Sequence, residues 1–302
     1  MLESNPMYKP KVLAVDDEEF NLDIIQEYLT DAGFDVITAI DGWNALKNIA
    51  AHDDIAVIVL DRMMPVMSGI DILKNIKANP RYKDIPVVMQ TAAAEKEQIQ
   101  EGIDLGVYYY LAKPYKEELL VSIVKSAYAE ALNIQAMKDE NTLSSDLSSL
   151  FKGGTFRFKN LPQSNSLAAF LAQGFPDMER AFSCISVLLD NAIFGNLGIS
   201  DQEQTELLVA GKLQETVAQK LKQEPFKHKY AKAYVEKTPE CLVLRITDQG
   251  KGFDWEKHLQ ITAEKTAVTN VIGLARAKSF FTTIEYTQNG SEVTCTKLIN
   301  CA

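Results

Sequence analysis

Histidine is nearly absent from this chain. Three copies, at positions 52, 228 and 258 of 302 residues, argue against a histidine-based metal site. Cysteine is sparse as well: Cys184, Cys241, Cys295 and Cys301 stand apart without metal-ligand spacing and read as reduced thiols, buried or near the surface. No apolar run reaches about 18 residues, and the first residues lack a basic stretch followed by an apolar one. Neither a membrane span nor a leader is therefore expected, and a cytoplasmic location is. Basic charge is in deficit, with 31 Lys and Arg against 41 Asp and Glu for a net charge of −10. That balance argues against a nucleic-acid-binding output, which needs a basic face. What the chain does have is apolar residues: a hydrophobic content of 46% is ample for packed cores, and the length favours two domains.

The first third alternates short apolar runs with segments of helical periodicity. VLAV closes on Asp16-Asp17, VIVL on Asp61, PVVMQ on Thr91 and VYYYLA on Lys113; FDVITA is a further strand. Between them, Glu18 to Thr30 reads as an amphipathic helix ended by Gly33. Asp41 is placed to cap a helix over Asn44 to Ala51, and further helices are expected over Ile70 to Ala78 and Glu95 to Gly102. Right-handed crossovers make the five strands parallel and bring their carboxyl ends to one edge. Three carboxylates, a hydroxyl and an ammonium then meet. Acids that close repel unless a divalent cation sits among them, so Asp61, with Lys113 opposite, is arranged to accept a phosphoryl group.

A long helix is expected from about Lys116, with Leu120, Ile123, Ala127, Ile134 and Met137 in an apolar stripe. Beyond Tyr128 nothing in the first domain is left for the stripe to cover, so a connector and a segment that pairs two chains stand as alternatives. The Ser-rich stretch Asn141 to Ser149 marks the boundary. The later half offers a strand at TFRFK, helices at Ser166 to Gln173 and Pro176 to Phe194, and a helical insert from Ser200 to Lys222 with Leu213, Val217 and Leu221 at helical spacing. Strands KYAKAYVE and CLVLRITD follow, then a helix near Asn270 to Phe280 and a hairpin, TTIEYT and EVTCTKL, around Asn289-Gly290. Helices and strands in segregated runs indicate an α+β two-layer domain. The expected division is residues 1–130, a helical linker 131–152, and 153–302.

With Asp16-Asp17, Asp61 followed by MMPVMSG, Thr91-Ala92 and Lys113-Pro114 in place, residues about 10–130 resemble a response-regulator receiver domain. The resemblance implies an α/β flavodoxin-like sheet of order 2-1-3-4-5 and a phosphorylated aspartate. Asp61 would be the nucleophile, Asp16, Asp17, Asp61 and the Met63 carbonyl would hold Mg²⁺, and Lys113 would pair with a phosphoryl oxygen. Thr91 would give a hydroxyl hydrogen bond, and Tyr110 resembles the aromatic that swings inward with it. The side chains two residues after the acceptor and after the Thr, which help to place a hydrolytic water in that family, are Met63 and Ala93. The implied donor is a histidine kinase or a phosphotransfer protein.

In the later half, DQGKGFDW (Asp248 to Trp255) resembles the D-x-G-x-G box of the GHKL ATPase superfamily. LLDNAIFGNLGIS, Leu188 to Ser200, is similar to the helix carrying its Mg²⁺-binding asparagine. IGLARAKSFF and NGSEVTCTK resemble the closing helix and hairpin of the anti-sigma-factor serine kinase branch. This implies a nucleotide frame of Asn191, Asp248, Gly250 and Gly252, with Asp248 accepting from the adenine amino group and the glycines letting backbone approach the nucleotide. Two departures oppose catalysis. Val187 stands where the family has a Glu as general base, and Thr269-Asn270-Val271 replace its glycine-rich phosphate cover. No histidine lies in an acidic-flanked helical motif upstream, so a histidine kinase is dismissed. The expectation is a receiver governing a degenerate kinase-like domain that binds a protein partner, of the sigma factor or anti-sigma-factor antagonist type. A receiver-regulated ATP-dependent serine/threonine kinase and an adenine-nucleotide sensor stand as alternatives.

Overall fold

The computed structural model describes residues 9–92, 96–139, 151–253, 255 and 269–298. They fall into two compact units, divided after Leu132.

In the first unit, β1 (Lys11–Val15), β2 (Asp35–Ala39), β3 (Ile55–Asp61), β4 (Val87–Thr91) and β5 (Tyr109–Ala112) form one parallel sheet of order β2-β1-β3-β4-β5. The central strands are apolar runs because both sheet faces are covered. Val57, Ile58, Val59 and Leu60 are fully buried, whereas the edge strand β2 begins exposed at Asp35. Helices α1 (Glu19–Asp31), α2 (Gly42–Ala51), α3 (Gly69–Ala78) and α4 (Lys96–Asp104) connect the strands. Leu22, Ile25 and Leu29 are the buried stripe of α1, and each such side chain contributes about 1.5–3 kcal/mol. Local chemistry sets where these helices begin. Asp41 accepts from the Asn44 amide at 2.7 Å, and Ser68 with Asp71 forms a reciprocal capping box. Helices α2 and α3 therefore start beyond the sheet edge on which the site is built.

Helix α5 (Glu117–Asp139) buries Leu120, Ile123, Val124 and Ala127 in the first unit. Its later residues Ile134 and Met137 lie in the hydrophobic core of the second unit. The stripe beyond Tyr128 is thus covered within the chain, and the segment expected as a linker contributes to the second core. The Ser-rich stretch 141–149 lies outside the described residues.

The second unit has an antiparallel sheet of order β6-β7-β8-β10-β9, built from β6 (Gly153–Phe158), β7 (Ala231–Lys237), β8 (Cys241–Thr247), β9 (Thr283–Thr287) and β10 (Glu292–Leu298). Alternation places Ala231, Ala233, Val235, Leu242, Leu244, Ile246, Val293 and Cys295 on the buried face. Against them lie α6 (Leu161–Ala172), α7 (Met178–Leu197) and α10 (Thr269–Phe280). Helix α7 is capped by Asp177 at its start and by the left-handed Gly198 at its end. The insert forms two helices, α8 (Asp201–Val209) and α9 (Leu213–Lys220), because Gly211 at φ +66° breaks the run. No single helix among the described residues is long and apolar enough to cross a membrane.

Candidate functional site

At the carboxyl edge of the parallel sheet, the Lys113 ammonium lies 2.6 Å from Asp16 Oδ2 and 2.6 Å from Asp61 Oδ1. Both carboxylates are nearly enclosed, at 1% and 5% exposure. Their remaining oxygens are also engaged. Asp16 Oδ1 accepts from the Glu18 amide at 3.1 Å and from Asn21 Nδ2 at 3.0 Å, and Asp61 Oδ2 accepts from the Met63 amide at 2.7 Å. The strand order explains the meeting: β1 and β3 are neighbours, and the Lys113 amide donates to the Thr91 carbonyl at 2.8 Å, drawing the end of β5 towards β4.

Burial pushes the Asp61 carboxyl above the ordinary range; the Lys113 hydrogen bond opposes this without cancelling it, and the Asp16 charge adds to it. For Lys113, burial works against the ammonium, but the two carboxylates outweigh it and hold the group above the usual lysine range. The site therefore holds one cation between two desolvated anions. Asp17 is exposed, and among the described residues no three acidic, histidine or cysteine side chains group as a metal site. The donor set nonetheless fits a hard divalent cation, since Asp16, Asp17, Asp61 and the Met63 carbonyl all offer oxygen.

Thr91 closes β4 and is buried at 4% exposure. Tyr110 is wholly buried, its hydroxyl donating to the Gln98 carbonyl at 3.3 Å and accepting from Arg62 Nη1 at 3.4 Å. Only glycine fits at position 102, where a Cβ would stand 1.8 Å from that hydroxyl. Burial pushes the Tyr110 phenol up to about 12. Ala93 lies outside the described residues. Arg62, directly after Asp61, also donates to the Gln98 carbonyl at 3.1 Å and reaches Glu101 at 3.6 Å. Sequence reasoning missed Arg62 and Asn21. The available signals were a cation at the end of an apolar strand and an amide one turn after an acidic pair.

The second unit holds a cavity of about 730 Å³ lined by Asn191, Gly195, Lys229, Asp248, Gly250 and Tyr286 among others. Asn191 Nδ2 is buried without a partner. Asp248 accepts from the Gly250 amide at 2.6 Å, and burial pushes its carboxyl up to about 6, against the pull of that bond and of Lys229. The two glycines of this loop line the same cavity and also pass close to the chain's own backbone. A Cβ on Gly250 would lie 2.3 Å from the Gly195 carbonyl oxygen, and one on Gly252, at φ +74°, 2.3 Å from that of Asn289. They allow the loop to press on the chain's own backbone. Val187 faces Gly273 of α10, where a Cβ would lie 2.9 Å from its Cγ1. Asp190 is turned to Ser164 at 2.5 Å. Residues Thr269 and Asn270 open α10.

A doubly wound parallel sheet with two acids and a lysine at its carboxyl edge defines a receiver. The family described as the response regulator receiver domain matches residues 12–125. A probable transcriptional regulator, ycf29, of Porphyra purpurea is 32% identical over 170 residues, spanning 56% of this chain and 75% of that protein. Chemotaxis protein CheY-3 of Vibrio cholerae is 42% identical over 106 residues, 35% of this chain and 81% of that protein. Among solved structures, Vibrio cholerae CheY4 aligns at 35% identity over 40% of this chain and 99% of its own, with a TM-score of 0.38. Through its first unit, the chain belongs to the response regulator receiver family. Receiver domains interact with histidine kinases or phosphotransfer proteins and use Mg²⁺ for phosphorylation.

Proposed function

We propose that Asp61 is the phosphoryl acceptor of this receiver. The observation that carries the reading is the Lys113 ammonium held 2.6 Å from both Asp61 and Asp16 at the carboxyl edge of the sheet. Asp61 attacks the phosphorus of a donor, the bond to the donor's leaving group breaks, and an acyl phosphate forms. Lys113 follows the transferred group as a point charge, and Thr91 gives its hydroxyl to a phosphoryl oxygen. Asp16, Asp17, Asp61 and the Met63 carbonyl would hold a magnesium ion, which would neutralise charge on the phosphoryl oxygens. The donor is a histidine kinase or a phosphotransfer protein. Incubation of the full chain with acetyl phosphate and Mg²⁺ should add one phosphoryl group, and Asp61→Asn should abolish it.

The second unit acts as a degenerate GHKL-like module that binds a protein without transferring phosphate. Val187, packed on α10, offers no general base, a loss of about 10²–10⁴-fold in rate. The partner is of the sigma factor or anti-sigma-factor antagonist type, and the receiver's state governs access to it. Partner capture with and without phosphorylation tests this, and phosphate transfer from labelled ATP to a serine-bearing partner would instead establish the kinase reading. One observation favours a nucleotide in addition: the unpaired Asn191 amide and the Asp248 carboxyl line the same cavity. Calorimetric titration with ATP and Mg²⁺, in the parent and in Asp248→Asn, tests that reading.

A further inference from the structure

Strand β4 is apolar except at its close. Val87, Val88 and Met89 are fully buried, and so is Gln90, paired in register with Asp61 on one side and Leu111 on the other. Gln90 Oε1 accepts from the Tyr115 hydroxyl at 2.5 Å, while Gln90 Nε2 is buried without a partner. A leucine would fill the same space without the orphaned Nε2, so the glutamine is carried at a cost. What it supplies that leucine cannot is an acceptor for Tyr115, which stands two residues after Lys113.

That placement bears on the cation. A lysine side chain is flexible, and it can stand between two carboxylates only if its backbone is held. On one side the hold is the Lys113 amide on the Thr91 carbonyl, at 2.8 Å. On the other side it is Tyr115 on Gln90. Both contacts end on β4, the strand beside the one that carries Asp61. Tyr115 is near enough that the charges of Asp16 and Asp61 add to the effect of burial in raising its hydroxyl, which therefore stays protonated and remains a donor.

We propose that Gln90 and Tyr115 are a positioning pair that fixes the turn after β5, and with it the Lys113 ammonium, for phosphoryl transfer to Asp61. This rests on Asp61 being the acceptor. The pair touches neither the donor nor the phosphoryl group; it acts through Lys113.

The test uses the full chain with acetyl phosphate and Mg²⁺ as the probe, in the parent, Tyr115→Phe, Gln90→Leu and the double variant. Initial phosphorylation rates are measured across acetyl phosphate concentrations, alongside urea midpoints. Each single variant should slow the saturating rate about 5- to 10-fold with the half-saturating concentration unchanged, and should lower the midpoint. The double variant replaces a polar pair by an apolar one, so the midpoint should recover while the rate stays low. A Tyr115→Phe rate equal to the parent's overturns the proposal. So does a double variant whose rate recovers together with its stability, since the pair would then be packing alone. A parent that takes no phosphoryl group overturns the Asp61 reading and this one with it.

Discussion

Removing the Lys113 charge should do more damage than removing either acid. In Lys113→Met the side chains of Asp16 and Asp61, 1% and 8% exposed, lose an ammonium that stands 2.6 Å from each. Breaking a buried ion pair by deleting one partner costs about 3–5 kcal/mol, because the remaining charge is left without compensation. Here two charges are left, but one can be neutralised. Burial already places the folded-state Asp61 carboxyl above its unfolded value, and loss of the lysine pushes it further. A carboxyl raised in the folded state contributes stability that is present at low pH and lost as pH rises through the folded value. The variant should therefore be about 3–5 kcal/mol less stable than the parent at pH 8, and the gap should shrink at pH 5 as Asp61 takes a proton. Adding Asp61→Asn should recover most of the loss. Urea unfolding of the full chain at both pH values, with hydrogen exchange of the β1 and β3 amides reporting on the first unit, measures the difference. A gap under about 1 kcal/mol at pH 8, or one independent of pH, would mean that the Lys113 ammonium does not compensate two buried charges.

Gly102→Ala should cost about 2–4 kcal/mol, since the new Cβ would stand 1.8 Å from the Tyr110 hydroxyl; chemical denaturation checks it. Asp248, raised to about 6 by burial, contributes stability at acid pH that is lost as pH rises through about 6. Asp248→Asn should flatten that dependence between pH 4 and 7 by about 1 kcal/mol, after allowance for solvent in the open cavity, as pH-dependent unfolding would show. Met63 and Ala93 offer no useful hydrogen-bond acceptor for a hydrolytic water, so the phosphorylated chain should persist for many minutes; a time course by intact mass decides it.

The first unit was readable because its chemistry sits at the ends of apolar runs. VLAV, VIVL and VYYYLA close on Asp16, Asp61 and Lys113, and the handedness of crossovers brings those ends to one edge. Other features were not readable, each for a physical reason. The stripe through Ile134 and Met137 signals burial, but periodicity does not say which body does the covering, and the second unit does. Gly211 was one glycine inside a helical pattern, and only its left-handed φ turns one insert into two helices. The glycines after Asp248 were read as an approach to a nucleotide, and their close passage by the carbonyls of Gly195 and Asn289 had no signal in the sequence. Gln90 stands in the sequence as a polar residue beside Thr91 at the end of an apolar strand, yet its partner Tyr115 lies 25 residues away and is set by tertiary structure alone.

Phosphorylation of a single carboxylate, that of Asp61, is the step on which the receiver depends. After incubation with acetyl phosphate and Mg²⁺, borohydride reduction converts an aspartyl phosphate to homoserine, and peptide mapping locates it. Homoserine is expected at position 61 and nowhere else, with none formed in Asp61→Asn. Homoserine at position 16 or 17, or label retained in Asp61→Asn, would contradict Asp61 as the acceptor.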